Sequence, residues 1–314
     1  MSERVLVTGG AGFIGANLVP RLVSSGYAVR VFDSLCNGRR SYLDGVDVEF
    51  VSGDIADAGS LDAALVGVDA VVHLAAAGSV VESVADPGAN FRTNAVGTFS
   101  VLEATRRAGI ERLVFSSTGG ALIGNATPPV DERSLPKPIS PYGASKLTAE
   151  AYLHAYAEAY GMRTIALRFA NVYGPFSGHK KGAITVFFKA LFDDEPIVVF
   201  GEGTASRDFM YVTDICRGIE LALAADVPGG TVCHIATGVE TIVAELADAC
   251  RVAAGKPAHP VQHRPGRPGE VERNFASYDL AHELLGFTPE VSLADGLSRT
   301  WDWYGEHVFG CDPR

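Results

Sequence analysis

A glycine-rich segment near the N-terminus constrains the fold of this chain more than any other feature. It reads Thr8-Gly-Gly-Ala-Gly-Phe-Ile-Gly15 and lies between a β-branched run at 4–7 and a helical pattern at 13–25 that stops at Gly26. Glycines permit a tight turn and a close approach to a diphosphate, and the N-terminus of the following helix offers amide donors. An ordinary glycine-rich turn is the alternative, but the strand before it and the helix after it favour a dinucleotide site.

Strand and helix patterns alternate through the first half of the chain. Further strands are predicted at 28–32, 48–51, 70–74, 112–116 and 164–168, and helices at 84–108 and 141–160. Alternation of this kind predicts an α/β fold with a parallel, doubly wound sheet of the Rossmann type.

The pattern changes after Asn171, where the elements become shorter and richer in glycine and proline. A helix at 214–225 and a strand at 231–235 look like a return to the first lobe. We therefore predict a dinucleotide-binding domain over 1–170, with a return segment at about 214–236. Residues 171–213 and 237–314 would form a smaller, mostly helical substrate domain.

Composition argues against several classes of protein. With 26 basic and 37 acidic residues the net charge is −11, which disfavours a broad nucleic-acid surface. No apolar run reaches the length of a membrane span, and no signal peptide is expected. The five cysteines are scattered without a CxxC pair, so we expect free thiols in a reducing cytoplasm and no disulfide framework or metal site.

Acidic residues at the ends of predicted strands discriminate between cofactors. Asp33 lies 18 residues past Gly15, where a carboxylate accepts hydrogen bonds from ribose hydroxyls and repels a 2′-phosphate, which favours NAD over NADP. Arg39 and Arg40 lie nearby and could soften that preference, and a solvated surface aspartate is the alternative. Asp54 either meets the adenine amino group or caps a loop.

A tyrosine and a lysine provide the candidate chemistry. Tyr142 and Lys146 lie one helical turn apart, so we expect the ammonium to lower the tyrosine pKa from about 10 and make the phenol an acid and base near neutral pH. A pair with this spacing also occurs by chance. Residues 116–120 (Ser-Ser-Thr-Gly-Gly) follow the fifth strand, where hydroxyls either bind substrate or cap a turn. Together with the glycine loop, the pair predicts hydride chemistry on a nicotinamide cofactor.

Positive side chains in this acidic chain are candidate diphosphate ligands. Arg207 and Arg267 suit that role because guanidinium groups bind diphosphates in a fork, although a surface salt bridge is the common alternative. A basic cluster at 179–181 lies in a glycine-rich loop and is interpreted as solvated. No residues have metal-ligand spacing, and the absence of a GxSxG motif argues against a serine hydrolase.

These motifs together resemble the extended short-chain dehydrogenase/reductase family, and within it the nucleotide-sugar epimerases and dehydratases. The resemblance spans nearly the whole chain. It rests on TGGAGFIG at 8–15, Asp33, GDI at 53–55, HLAA at 73–76, NAVGT at 94–98, SST at 116–118, Tyr142 with Lys146, RFANVYGP at 168–175 and RDFMYVTD at 207–214.

The resemblance implies a role for each matching position. Tyr142 would be the base at the sugar 4-hydroxyl, Thr118 would hydrogen-bond the same oxygen, and Lys146 would hold the nicotinamide ribose. The implied NAD-binding residues are Gly9, Gly12, Phe13, Ile14, Gly15, Asp33, Asn37, Gly38, Asp54, Ile55, Leu74, Ala75, Ala76, Asn94, Ser116, Tyr142, Lys146 and Phe169. The implied substrate-binding residues are Thr118, Tyr142, Asn171, Val198, Phe200, Arg207, Arg267 and Glu270.

The resemblance is greatest to UDP-glucose 4-epimerases and their neighbours, and it implies 4-epimerisation of a UDP-hexose through a transient 4-keto sugar. Gly119-Gly120 stand where dehydratases carry an acidic pair, which favours epimerisation. Ile123 stands where many epimerases have tyrosine, and Phe176 where several relatives have arginine. UDP-glucose or galactose, a UDP-N-acetylhexosamine and a UDP-uronic acid all stay open, as does uridine against thymidine.

Two other functions stay open at this point. A nucleotide-sugar 4-ketoreductase would usually prefer NADPH, and Asp33 argues against it. A non-catalytic dinucleotide-binding protein would typically have lost Tyr142 or Lys146. The resemblance also implies a homodimer that pairs through the helices predicted at 84–108 and 141–160.

Overall fold

A seven-stranded parallel sheet forms the centre of the fold. The computed structural model describes residues 2–266 and 272–310. Along the chain the strands are β1 (Arg4–Thr8), β2 (Ala28–Asp33), β3 (Glu49–Ser52), β4 (Ala70–His73), β5 (Arg112–Thr118), β6 (Arg163–Phe169), β7 (Asn171–Tyr173), β8 (Ile197–Phe200), β9 (Ser206–Arg207), β10 (Phe209–Tyr211), β11 (Thr231–Ile235), β12 (Thr241–Ile242), β13 (Val261–Arg264) and β14 (Arg273–Asn274). The large sheet has the order β11-β6-β5-β4-β1-β2-β3, with all neighbours parallel. The predicted doubly wound Rossmann sheet is confirmed.

Some of the helices cover the two faces of this sheet, and others belong to the second part of the chain. They are α1 (Phe13–Ser24), α2 (Ala58–Ala64), α3 (Val80–Ala85), α4 (Pro87–Phe91), α5 (Gly97–Arg107), α6 (Gly120–Ile123), α7 (Pro141–Tyr160), α8 (Ala183–Phe192), α9 (Val212–Ala224), α10 (Val243–Ala253), α11 (Asp279–Leu285) and α12 (Leu293–Tyr304). Side chains of α1, α9 and α11 fill the core on one face, and those of α2, α5 and α7 fill the core on the other. Each fully buried leucine or valine in these cores contributes about 1.5–3 kcal/mol. None of the described helices is both long and apolar enough to span a bilayer.

The single helix predicted over 84–108 is wrong. The segment forms α3, α4, a π-helical turn at Arg92–Val96 and then α5. Asp86 is extended (φ −136°, ψ 81°) because a residue before proline is disfavoured in the helical region, and Pro87 starts α4. The Asp86 carboxylate accepts a hydrogen bond from Ala89 N at 2.9 Å and so caps the new helix.

The chain after β6 adds small sheets and a separate core. Strand β7 pairs with β10, β8 with β13, and β9 with β12 and β14. Phe188, Leu191, Leu246 and Leu297 share a core that belongs to α8, α10 and α12. The predicted return segment is placed by α9, which packs on α1, and by β11, which pairs with β6. The division into two domains stays a prediction.

Candidate active site

The glycine segment lines a crevice between the ends of β1 and β4, where the winding of the sheet reverses direction. Gly9 has φ +69°, and a Cβ there would lie 2.7 Å from Ala75 N. A Cβ on Gly15 would lie 2.5 Å from the Gly10 backbone. Helix α1 begins after Gly12 with no side-chain cap, so its first amides can donate to an anion.

The predicted ribose carboxylate lies beside this loop. Asp33 ends β2, and its carboxylate accepts hydrogen bonds from Ala11 N at 3.0 Å and Leu35 N at 2.8 Å. These amides fix its orientation next to the exposed Asn37 and to Gly38, where a Cβ would lie 3.0 Å from Asp33 Oδ1. Asp33 therefore lies where a ribose bound at the glycine loop would meet it.

Several other predicted cofactor residues have structural partners. The exposed Asp54 caps its own turn by accepting from Ala56 N at 2.9 Å, and Ile55 is buried against α5. Asn94 is buried, and its amide joins Ala77 N at 2.8 Å to Ser145 Oγ at 3.2 Å. It therefore ties the loop after β4 to α7. The partly exposed residues along the crevice are Ile14, Leu74, Ala75 and Ala76.

The catalytic candidates meet at the ends of β5 and α7. Ser140 caps α7 and Pro141 starts it, so Tyr142 and Lys146 lie on successive turns. The Thr118 hydroxyl donates a hydrogen bond to the Tyr142 oxygen. Lys146 Nζ donates to Ser116 O at 2.7 Å and lies 4.5 Å from the centre of the Phe115 ring.

Burial dominates the electrostatics of this pair. The Tyr142 ring is partly exposed in the crevice, but its hydroxyl is enclosed, and desolvation raises its pKa to about 12 while the Thr118 hydrogen bond opposes the rise. Burial also lowers the pKa of Lys146 to about 7, with Glu150 opposing. The expectation that the Lys146 ammonium lowers the pKa of Tyr142 is therefore wrong, because desolvation dominates at both groups.

A buried ion pair behind the catalytic residues was missed in the sequence. Arg168 Nη2 lies 2.8 Å from Glu150 Oε2, with both side chains 6% exposed. Ser117 Oγ donates to Glu150 Oε1 at 2.5 Å. The available signal was the spacing of Tyr142, Lys146 and Glu150, which places all three on one face of α7.

The predicted substrate residues lie in the second part of the chain. Asn171 is exposed at the start of β7, and its amide donates to Asp208 O at 3.2 Å. Arg207 donates to Ser206 O at 2.7 Å. Val198 and Phe200 are half-buried on one side of β8, whereas their neighbours Ile197 and Val199 are buried in the core. Arg267 and Glu270 lie outside the described residues.

Two further positions bear on the predicted site. Phe169 is buried at the end of β6, in register with Thr118. Ile123 is fully buried with Leu122 and Val130, so it contributes packing rather than a polar group. Among residues 2–266 and 272–310, no cluster of His, Cys, Asp and Glu could hold a metal ion.

Comparison with known proteins identifies the family. Residues 5–236 match the model of the NAD dependent epimerase/dehydratase family. The chain belongs to this family. Within the epimerase/dehydratase family it is 37% identical to a UDP-glucose 4-epimerase of Mycolicibacterium smegmatis, covering 96% of this chain and 98% of that protein. It is 35% identical to a dTDP-glucose 4,6-dehydratase of Streptomyces niveus, covering 99% and 95% respectively.

Solved members of the epimerase/dehydratase family have the same fold. The UDP-glucose 4-epimerase of Thermotoga maritima, solved with UDP-glucose, has a TM-score of 0.92 at 36% identity, covering 97% of this chain and 99% of that one. The UDP-glucose 4-epimerase of Thermus thermophilus, in complex with NAD, has a TM-score of 0.90 at 36% identity, covering 97% and 100%. The predictions of the family and of NAD as its cofactor are confirmed.

The crevice of this epimerase/dehydratase family member fits a dinucleotide. The backbone around Gly9 and Gly15 leaves no room for a Cβ at either position. The first amides of α1 have no side-chain cap. Gly9, Gly12, Phe13 and Gly15 would hold the diphosphate through the backbone, and Asp33 would hold a ribose.

The two glycines after Thr118 have little room for a side chain. A Cβ on Gly119 would lie 3.1 Å from the His234 ring, and a Cβ on Gly120 would lie 2.8 Å from the Asn274 amide. His234 and Asn274 are both buried. They fill the space that side chains at 119 and 120 would need, so an acidic pair cannot be accommodated there without repacking.

Proposed function

We propose that this protein is an NAD-dependent 4-epimerase of a UDP-hexose. The observation that carries the proposal is the Tyr142 hydroxyl, which receives a hydrogen bond from Thr118 beside the dinucleotide crevice and has no acidic neighbour at 119 or 120. The epimerase relatives support the same class of activity, and the sugar is UDP-glucose or galactose, a UDP-N-acetylhexosamine or a UDP-uronic acid.

The side chains divide the work by position. Bound NAD supplies reversible oxidation of carbon 4 and, in its oxidised form, a positive charge that favours the phenolate. Tyr142 takes the proton from the sugar 4-hydroxyl and returns it to the product, while Thr118 orients that oxygen. Lys146 stays fixed by its hydrogen bond to Ser116 O.

The diphosphate contacts would let one site act on both faces of the sugar. Asn171, Arg207 and Arg267 are proposed to hold the nucleotide diphosphate, Val198 and Phe200 to flank the base, and Glu270 to bind the ribose. An anchored nucleotide leaves the hexose free to turn, so that carbon 4 presents either face to Tyr142. The anchor also restricts escape of the 4-keto sugar.

Product analysis tests this proposal directly. Purified protein is incubated separately with UDP-glucose, UDP-N-acetylglucosamine and UDP-glucuronate, and the sugars are resolved by chromatography. We expect the 4-epimer of at least one of them without net consumption of cofactor. Tyr142→Phe should abolish epimerisation, whereas Tyr160→Phe, an exposed position at the end of the same helix, should retain it. Stoichiometric use of NADPH would instead indicate a ketoreductase, and full activity of Tyr142→Phe would contradict the proposed base.

We also propose a homodimer that forms through one exposed apolar face. Phe91, Phe99 and Tyr152 are 57%, 40% and 44% exposed on α4, α5 and α7, and the Phe99 and Tyr152 rings lie 5.5 Å apart. Adjacent apolar side chains of this size usually mark an interface. Light scattering should give twice the chain mass, and Phe99→Glu should give the monomer. A wild-type monomer would contradict the proposal.

The proposed cellular location is a reducing cytoplasm. The described cysteines, Cys36, Cys216, Cys233 and Cys250, are free thiols. Burial raises the pKa of Cys216 and Cys233 to about 12, which keeps these two thiols unreactive.

A further inference from the structure

Residues 174–182, which we call the strap, connect β7 to α8 and contact both parts of the molecule. On the Rossmann side, Pro175 O accepts a hydrogen bond from Asn17 Nδ2 of α1 at 3.1 Å. The Phe176 ring lies 4.7 Å from the Tyr42 ring. On the opposite side, the Ser177 hydroxyl lies 2.7 Å from the Tyr304 hydroxyl at the end of α12.

The contacts of the strap lie near the predicted ribose carboxylate at one end and near the catalytic helix at the other. Tyr42 belongs to the turn that follows Gly38 and Arg39, next to Asp33. At the other end, Lys181 Nζ lies 3.3 Å from Glu82 Oε1. Glu82 precedes Ser83, whose hydroxyl accepts a hydrogen bond from Tyr142 N.

Lys180 lies between these two contacts in the chain, next to the first residue of α1. Its Nζ is 5.4 Å from the centre of the Phe13 ring, and Phe13 is the first residue of α1. Part of its side chain is exposed, but the surrounding atoms desolvate the ammonium and lower its pKa. No ion pair to Lys180 is found among residues 2–266 and 272–310, whereas the neighbouring Lys181 pairs with Glu82. A cation over a phenylalanine ring is held weakly, so the ammonium is available to an anion at the N-terminus of α1.

Other positive groups gather around Lys180 in this acidic protein. The pKa of His179 is lowered by burial and by the nearby charges of Lys180 and Arg39. Arg39 Cζ lies 5.9 Å from the centre of the Tyr42 ring, which packs on Phe176 of the strap. The strap therefore brings positive charge to the crevice of a chain whose net charge is −11.

We propose that Lys180 pairs with the diphosphate of the bound dinucleotide, and that the strap thereby closes the crevice and retains NAD between turnovers. The pairing would add a side-chain cation to the backbone amides of the glycine loop. The proposal rests on NAD binding by this family and not on the identity of the sugar.

Phe176 holds the strap in its closed position. It has φ +67°, which is an outlier for a bulky residue and persists only where the surroundings enforce it. Its ring lies between Tyr42 at 4.7 Å and Trp303 of α12 at 4.9 Å. The ring contacts favour the closed strap, because opening would separate the three rings. The strained backbone of Phe176 favours the open strap, because opening would relieve the strain.

The rate at which bound NAD exchanges with radiolabelled NAD tests the proposal on the purified holoenzyme. Lys180→Gln should exchange at least about tenfold faster than wild type, because a charge-assisted contact to the diphosphate is lost. Wild-type exchange should also accelerate with salt, and Lys180→Gln should lose most of that dependence. Lys189→Gln, an exposed lysine of α8, is the matched control and should behave as wild type.

Two more variants separate the contributions of charge and closure. Phe176→Ala should speed exchange but keep the salt dependence, since Lys180 remains. Lys181→Gln breaks only an exposed ion pair and should change exchange less than twofold. If Lys180→Gln exchanges NAD at the wild-type rate, the proposal is overturned. A Lys180→Gln enzyme with normal exchange but a raised KM for the sugar nucleotide would place the lysine at the substrate instead.

Discussion

Removing the charge of Glu150 should destabilise the protein strongly, because this carboxylate is the counter-charge of a buried arginine. The carboxylate is 6% exposed, accepts from Ser117 Oγ at 2.5 Å, and pairs with Arg168, whose Nη2 is 2.8 Å away. In Glu150→Gln the guanidinium would stay buried without a counter-charge, and breaking a buried pair in this way costs about 3–5 kcal/mol. The amide still accepts one hydrogen bond from Arg168, so we expect the lower part of that range.

Urea unfolding monitored by circular dichroism measures this loss. Glu158→Gln is the matched control, because Glu158 is exposed on the same helix and its replacement should change the unfolding free energy by less than about 0.5 kcal/mol. A double variant, Glu150→Gln with Arg168→Met, should recover part of the loss because no unpaired charge remains. Equal stability of the Glu150 and Glu158 variants would refute the buried-pair argument.

Three further predictions test the crevice and the catalytic pair. Gly15→Ala should abolish NAD binding, measured by absorbance of the purified protein, because its Cβ would lie 2.5 Å from the Gly10 backbone. Gly305→Ala is the control: its Cβ would have no atom within 4 Å, and this variant should bind NAD normally. Gly120→Ala should lower the unfolding free energy by about 1–3 kcal/mol, because its Cβ would contact the Asn274 amide. Adding Asn274→Gly should restore part of this loss. An unchanged thermal melt of Gly120→Ala would contradict the close contact between these two residues. The pKa of Lys146 is about 7 in the folded protein, below its ordinary value of 10.5. Between these two pH values the unfolded chain binds one more proton than the folded protein does. The unfolding free energy should therefore rise with pH above 7. Lys146→Met should flatten that rise between about pH 7 and 8.5, and an unchanged slope would argue against a neutral buried amine.

Local patterns sufficed for the fold because they reflect backbone geometry. The helix predicted at 141–160 and the strand at 231–235 coincide with α7 and β11, since helical spacing and β-branched runs are short-range signals. The helix predicted at 84–108 is wrong because Pro87 interrupts an otherwise helical pattern. Asp86 and Pro87 divide that segment into two capped helices.

By itself the sequence determined the parallel sheet, the glycine crevice, Asp33 at its edge and the spacing of Tyr142 and Lys146. Each of these depends on residues that are neighbours in the chain. Only the tertiary structure decided the charge states of the pair, because the desolvation that raises one pKa and lowers the other comes from atoms far away in sequence. The same holds for His234 and Asn274 filling the space beside Gly119 and Gly120, and for Lys180 lying over Phe13, since such contacts exist only after distant segments have packed together.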